Sequence, residues 1–152
     1  MRKGIILALT LVVMVLLVGC GVQNQLADTK WKTEYTTVEN YYDTETYDNK
    51  EGLVTHIKTY EYKKDGTYLC TSKTDYSAEL EEYGKILESY GMDNPYKDTE
   101  IKSDPAKWYC DGDKLYLESS EYPMAEIYDV IILDDELILK QGFYFDKYKK
   151  VN

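Results

Sequence analysis

Histidine occurs once in the 152 residues, proline three times, cysteine three times, and phenylalanine and tryptophan twice each. Each scarcity removes a class of chemistry. A lone His56 cannot supply the three or four nitrogen and sulfur ligands that zinc takes, so no metal role is expected and His56 reads as a strand residue. Acidic pairs occur at Asp93 with Asp98, at Asp111 with Asp113 and in Asp134-Asp135-Glu136. They lack the alternation and twelfth-position Glu of an EF-hand and read as turn residues. Cys70 with His56 has neither a third orienting group nor an oxyanion loop, and no Gly-x-Ser-x-Gly, phosphate loop or dinucleotide fingerprint is present. The chain is therefore expected not to be an enzyme and to need no cofactor. Basic residues are also short, with 18 Lys and Arg against 28 Asp and Glu. Nothing in that balance neutralises a phosphate backbone, which excludes nucleic acid as a partner.

Tyrosine is plentiful. All 17 follow residue 34, and an acidic chain with so many rings is a folded one. Long apolar runs are confined to one, Ile5 to Val18, interrupted only by Thr10 and preceded by Arg2 and Lys3. A positive start, an apolar stretch and a small residue before a break are the parts of an export signal. Its end, Leu17-Val18-Gly19-Cys20, resembles the bacterial lipoprotein signal. That resemblance implies cleavage after residue 19, two acyl chains (palmitate among them) on Cys20 and an extracytoplasmic domain held at the cell membrane. Two chains suffice for stable anchoring. The organisation expected is a signal peptide over 1–19, a lipidated Cys and tether over 20–29 and one domain over 30–152. The mature part carries 28 acids against 16 bases, so attachment through charge to anionic headgroups is not expected.

Two Asp-Gly dipeptides, Asp65-Gly66 and Asp111-Gly112, sit between β-prone runs and predict hairpins. Further turns are expected at Asp134-Asp135 and Gln141-Gly142. Strands are predicted near 30–38, 53–62, 67–73, 106–110, 114–119, 125–133, 136–140 and 143–149. Eight antiparallel strands are enough to close a small barrel and remove its edges. One stretch departs from this period: Tyr76, Leu80, Tyr83, Leu87 and Tyr90 recur at helical spacing, predicting an amphipathic helix near residues 76–91 that packs its stripe on the sheet.

Trp31 after the tether, the run from Tyr62 to Tyr68 around Asp65-Gly66, Trp108 before the second hairpin and the Tyr-rich final strand together give a layout that resembles the small lipocalin-like domains of bacterial lipoproteins. The resemblance implies a mainly β, eight-stranded meander barrel with a binding role. Two partner classes follow: a small apolar or amphipathic ligand in the barrel, or an envelope protein on the outer surface of a filled barrel. With Cys20 lipidated, Cys70 and Cys110 remain, either as one disulfide or as two buried thiols. The segment Glu39–Gly52 combines Tyr41, Tyr42 and Tyr47 with five acids. It reads as a recognition loop or as the tip of a long first hairpin.

Overall fold

Runs of aromatic and β-branched residues alternating with polar ones favour strands over most of the chain. The computed structural model describes residues 21–44, 46–118 and 124–152. The expected signal segment and Cys20 lie outside the described residues. The strands are β1 (Thr29–Asp43), β2 (Asp48–Tyr62), β3 (Thr67–Tyr76), β4 (Thr99–Lys102), β5 (Ala106–Asp111), β6 (Lys114–Leu117), β7 (Glu126–Leu133), β8 (Glu136–Gln141) and β9 (Tyr144–Val151). They are joined in the order β2-β1-β9-β8-β7-β6-β5-β3-β4, and β2 also pairs with β3. That last pairing closes all but β4 into an eight-stranded antiparallel barrel, the expected fold class. β4 pairs with Thr71–Thr74 of β3, on the same edge that β5 takes at Thr67 and Tyr68.

The hairpins follow their turn chemistry. Gly66 closes a short loop with φ +83°, and Gly112 opens a two-residue turn with φ +62°, conformations that a Cβ disfavours. Asp65 supports its loop by accepting the Thr67 N–H at 2.9 Å and the Thr67 hydroxyl at 2.6 Å. The first hairpin is longer than expected because its Thr, Tyr and Glu residues stay paired to Asp43 and Asp48, although most of β1 is exposed. Glu39–Gly52 is therefore largely strand, not loop.

The chain falls into two compact units. The first comprises residues up to Lys32 with Tyr60–Leu69 and Ser103–Asn152. Inward positions alternate along three of its strands: Tyr60 and Tyr62, Leu115 and Leu117, Leu137 and Leu139 are all buried. Trp31, Tyr68, Trp108, Val130 and Tyr148 complete the interior. The aromatic rings fill the space against one another, with Tyr62 edge-on to Trp108 at 5.2 Å between centroids and Tyr60 edge-on to Tyr148 at 5.5 Å. Trp108 fixes its place by donating its indole N–H to the Lys63 carbonyl at 3.0 Å.

The expected tether folds instead. Gly21–Leu26 forms a short helix, α1, that packs on β5 and β7. Leu26 is fully buried, the Gln23 side chain accepts the Cys110 N–H at 3.4 Å, and Asp28 turns the chain with φ +56°. The sequence Gly-Val-Gln-Asn-Gln-Leu has no helical period and is too short to hold a helix alone, so docking of Leu26 stabilises it. Leu26 adds about 1.5–3 kcal/mol of apolar burial to that end.

The second unit comprises Thr33–Thr59 and Cys70–Lys102. Its helix α2 runs Ala78–Ser89, inside the predicted span. Leu80 and Gly84 form the buried face, while Tyr90 lies past the end and is exposed. Two glycines admit this packing. A Cβ on Gly52 would stand 2.3 Å from Leu80 Cγ, and one on Gly84 2.0 Å from Asn94 Oδ1, so the mid-helix glycine is there for close approach. Ser77 binds the helix start to β2: its N–H donates to the Leu53 carbonyl at 2.9 Å, and its hydroxyl oxygen accepts the Leu53 N–H at 3.2 Å.

Cys70 and Cys110 are not joined by a disulfide; both are partly buried thiols, which corrects the bonded alternative. The antiparallel register Thr67↔Lys107 and Tyr68↔Ala106 explains it, since continuing to Cys70 and continuing to Cys110 lead in opposite directions from the paired residues. Burial raises the Cys110 thiol to about 11.

Candidate functional site

The second unit concentrates acid and tyrosine. It holds six lysines against fourteen Asp and Glu, and eight of the 17 tyrosines. The three recognition tyrosines divide there. Tyr41 and Tyr42 are neighbours on β1 and so point to opposite faces. Tyr41 turns towards α2 and meets the Tyr83 ring at 4.8 Å between centroids. Tyr42 is 48% exposed, and Tyr47, in the hairpin turn with φ +60°, is 76% exposed. Tyr47 is held by its own N–H, which donates to the Asp43 carbonyl at 2.9 Å.

Tyr41 and Tyr83 form the back of a groove of about 200 Å³. Its strand side is Tyr41 and Asp43, two apart on β1, with Lys50 from β2. Its helix side is Glu79, Glu82, Tyr83 and Ile86, whose spacings of three, one and three put them on one face of α2. Lys50 is ion-paired to Asp43, which raises its pKa. Glu79 is held below the usual carboxylate range by its own backbone N–H and then by the Ser77 hydroxyl. The Glu82 side chain is exposed. Behind the groove Tyr96 touches Tyr83 at 6.0 Å and Tyr76 at 5.7 Å between centroids. Partial burial, and then Glu39, raise the Tyr96 hydroxyl's pKa.

Other candidates fall elsewhere. His56 stacks on Tyr35 at 4.9 Å and lies 3.3 Å from the Thr37 hydroxyl, as a strand side chain does. Among the described residues no three His, Cys, Asp or Glu side chains gather as a metal site, and no helix is long and apolar enough to cross a membrane. In the first unit, a surface groove of about 650 Å³ opens by the start of β1 and the end of β9. Lys30, Lys63 and Lys150 line it together with Asp28 and Glu61 and with Tyr62 and Val151, so charged and apolar side chains share it.

In the sequence Tyr41 belongs to the recognition segment and Tyr83 to the core stripe of the helix, with no local pattern joining them. The signal available was the run Glu79, Glu82, Tyr83, Ile86 on a second helix face, beside the buried one. No protein-family model, curated protein or solved structure matches this chain.

Proposed function

We propose that the chain is an exported bacterial lipoprotein, diacylated at Cys20, whose lipocalin-like domain works as a non-catalytic protein-interaction module at the cell envelope. The observation that favours this over a carrier is the ring-packed interior of the first unit. Tyr60, Tyr62, Tyr68, Trp108 and Tyr148 occupy the interior ring against ring, which leaves the acidic, tyrosine-bearing second unit as the surface for binding. Exposed tyrosines give rigid contact area at low entropic cost, and a strong negative field speeds encounter with a basic partner. The lipid assignment rests on Leu17-Val18-Gly19-Cys20 following the apolar run.

Native mass spectrometry of the protein purified from its own host is the test. A stoichiometric protein partner is expected, and a co-purifying small molecule held by the barrel overturns the module in favour of the carrier. Cys20→Ala is expected to abolish palmitate labelling; labelling that persists overturns the lipoprotein assignment.

A further inference from the structure

The groove between β1 and α2 is built for one kind of guest. Ile86 and the rings of Tyr41 and Tyr83 present apolar and π surface, while Glu79 and Glu82 stand on the helix side. An aliphatic stem with a cationic head matches that order of surfaces, because the stem packs on rings and methylenes while the head keeps its charge among carboxylates. A volume of about 200 Å³ suits one side chain and is too small for a folded segment. The chain itself shows the chemistry, since Lys50 lies at the rim with its ammonium on Asp43. The surrounding unit, with six lysines to fourteen acids, draws positive charge towards it.

We infer that this groove is a docking site for a single Lys or Arg side chain of an extended segment of a partner protein, received by Tyr41, Tyr83, Ile86, Glu82 and the Asp43 carboxylate now paired with Lys50. The inference rests on the interaction-module reading and names the partner chemistry. Lys50 is the internal competitor: it holds Asp43 until the guest arrives.

Tyrosine-ring NMR of the full mature chain, titrated with an acetylated and amidated Gly-Ser-Lys-Ser-Gly peptide, tests it. Saturable shifts of the Tyr41 and Tyr83 rings are expected, with Tyr109 and Tyr116 unmoved. Glu82→Gln, a change at an exposed position, is expected to weaken binding roughly two- to fivefold, the span of an exposed ion pair. Lys50→Gln is expected to tighten it by a similar factor, and these opposite signs are not what a general loss of structure produces. Equal binding of the norleucine peptide, an unchanged affinity in Glu82→Gln, or tetramethylammonium binding as tightly as the lysine peptide each overturns the assignment. A host protein partner that stays bound to both Glu82→Gln and Tyr41→Leu chains overturns the groove while the module reading stands.

Discussion

Tyr62→Phe should make the protein more stable. The Tyr62 side chain is fully buried, and its hydroxyl has no hydrogen-bond partner among the described residues. Desolvation, followed by Tyr60 and Tyr148, raises its pKa well above the ordinary 10.0, so the group stays neutral and its dipole is left uncompensated. A buried hydroxyl in that condition costs about 1–3 kcal/mol relative to water. Removing one oxygen leaves a small void worth a few tenths of a kcal/mol at about 24 cal/mol per Å³. The ring contacts with Trp108, Tyr60 and Tyr68 survive in phenylalanine. The balance is a gain of about 1 kcal/mol or more, or a Tm rise of about 3–6 °C for a domain of this size. Tyr68→Phe is the matched control, because its hydroxyl donates to the Glu118 carbonyl at 3.1 Å and its loss should cost about 0.5–1.5 kcal/mol. Urea unfolding of both variants, compared at equal m, separates the signs. A Tyr62→Phe protein less stable than its parent would refute the reasoning, because it would mean that the hydroxyl is engaged.

Gly52→Ala is expected to cost about 1–3 kcal/mol, as its Cβ would press on the buried Leu80, and to speed hydrogen exchange in α2; unchanged exchange there counts against the packing described. Adding Leu80→Ala should give a double variant that loses less than the sum of the two single losses. With its thiol raised to about 11 from the ordinary 9.0, Cys110 at pH 8 should alkylate about 100-fold more slowly than in the urea-unfolded chain, and equal rates would show it exposed. Asp65 is held below its ordinary 3.8 by the Thr67 hydroxyl and then the Thr67 N–H. Its folded pKa lies below the unfolded one, so its contribution is present above about 3.8 and lost as pH falls through the folded value. The stability gap between parent and Asp65→Asn should therefore be full at pH 6 and close at pH 2, and a gap that widens on acidification sinks the account.

Local signals were strong enough to place the hairpins. Asp65-Gly66 and Asp111-Gly112 turn where predicted because the positive φ each turn needs falls on its glycine. Trp31 and Trp108, read only as marks of the layout, are both interior residues. The misses share a cause: nonlocal packing. α1 exists because Leu26 finds a pocket, and Gly-Val-Gln-Asn-Gln-Leu carries no period to reveal it. β4, Thr-Glu-Ile-Lys, is exposed along its length and is a strand only because the edge of β3 at Thr71–Thr74 accepts it. The continuation of β1 to Asp43 rests on pairing rather than burial. The groove was the least legible feature, since Tyr41 and Tyr83 are 42 positions apart and each had a sufficient local explanation.

The docking of α1 alters what a lipid at Cys20 would do. A leash lets a domain wander over a hemisphere of membrane and meet partners in any attitude. Here a docked helix already stands at Gly21, so a lipid on Cys20 would be joined to the packed part of the first unit by a single peptide bond. The bilayer would then set the attitude of the barrel as well as its address. Partners would be met from a narrow range of angles, and a few flexible residues inserted before Gly21 would widen that range without touching a single contact in the fold.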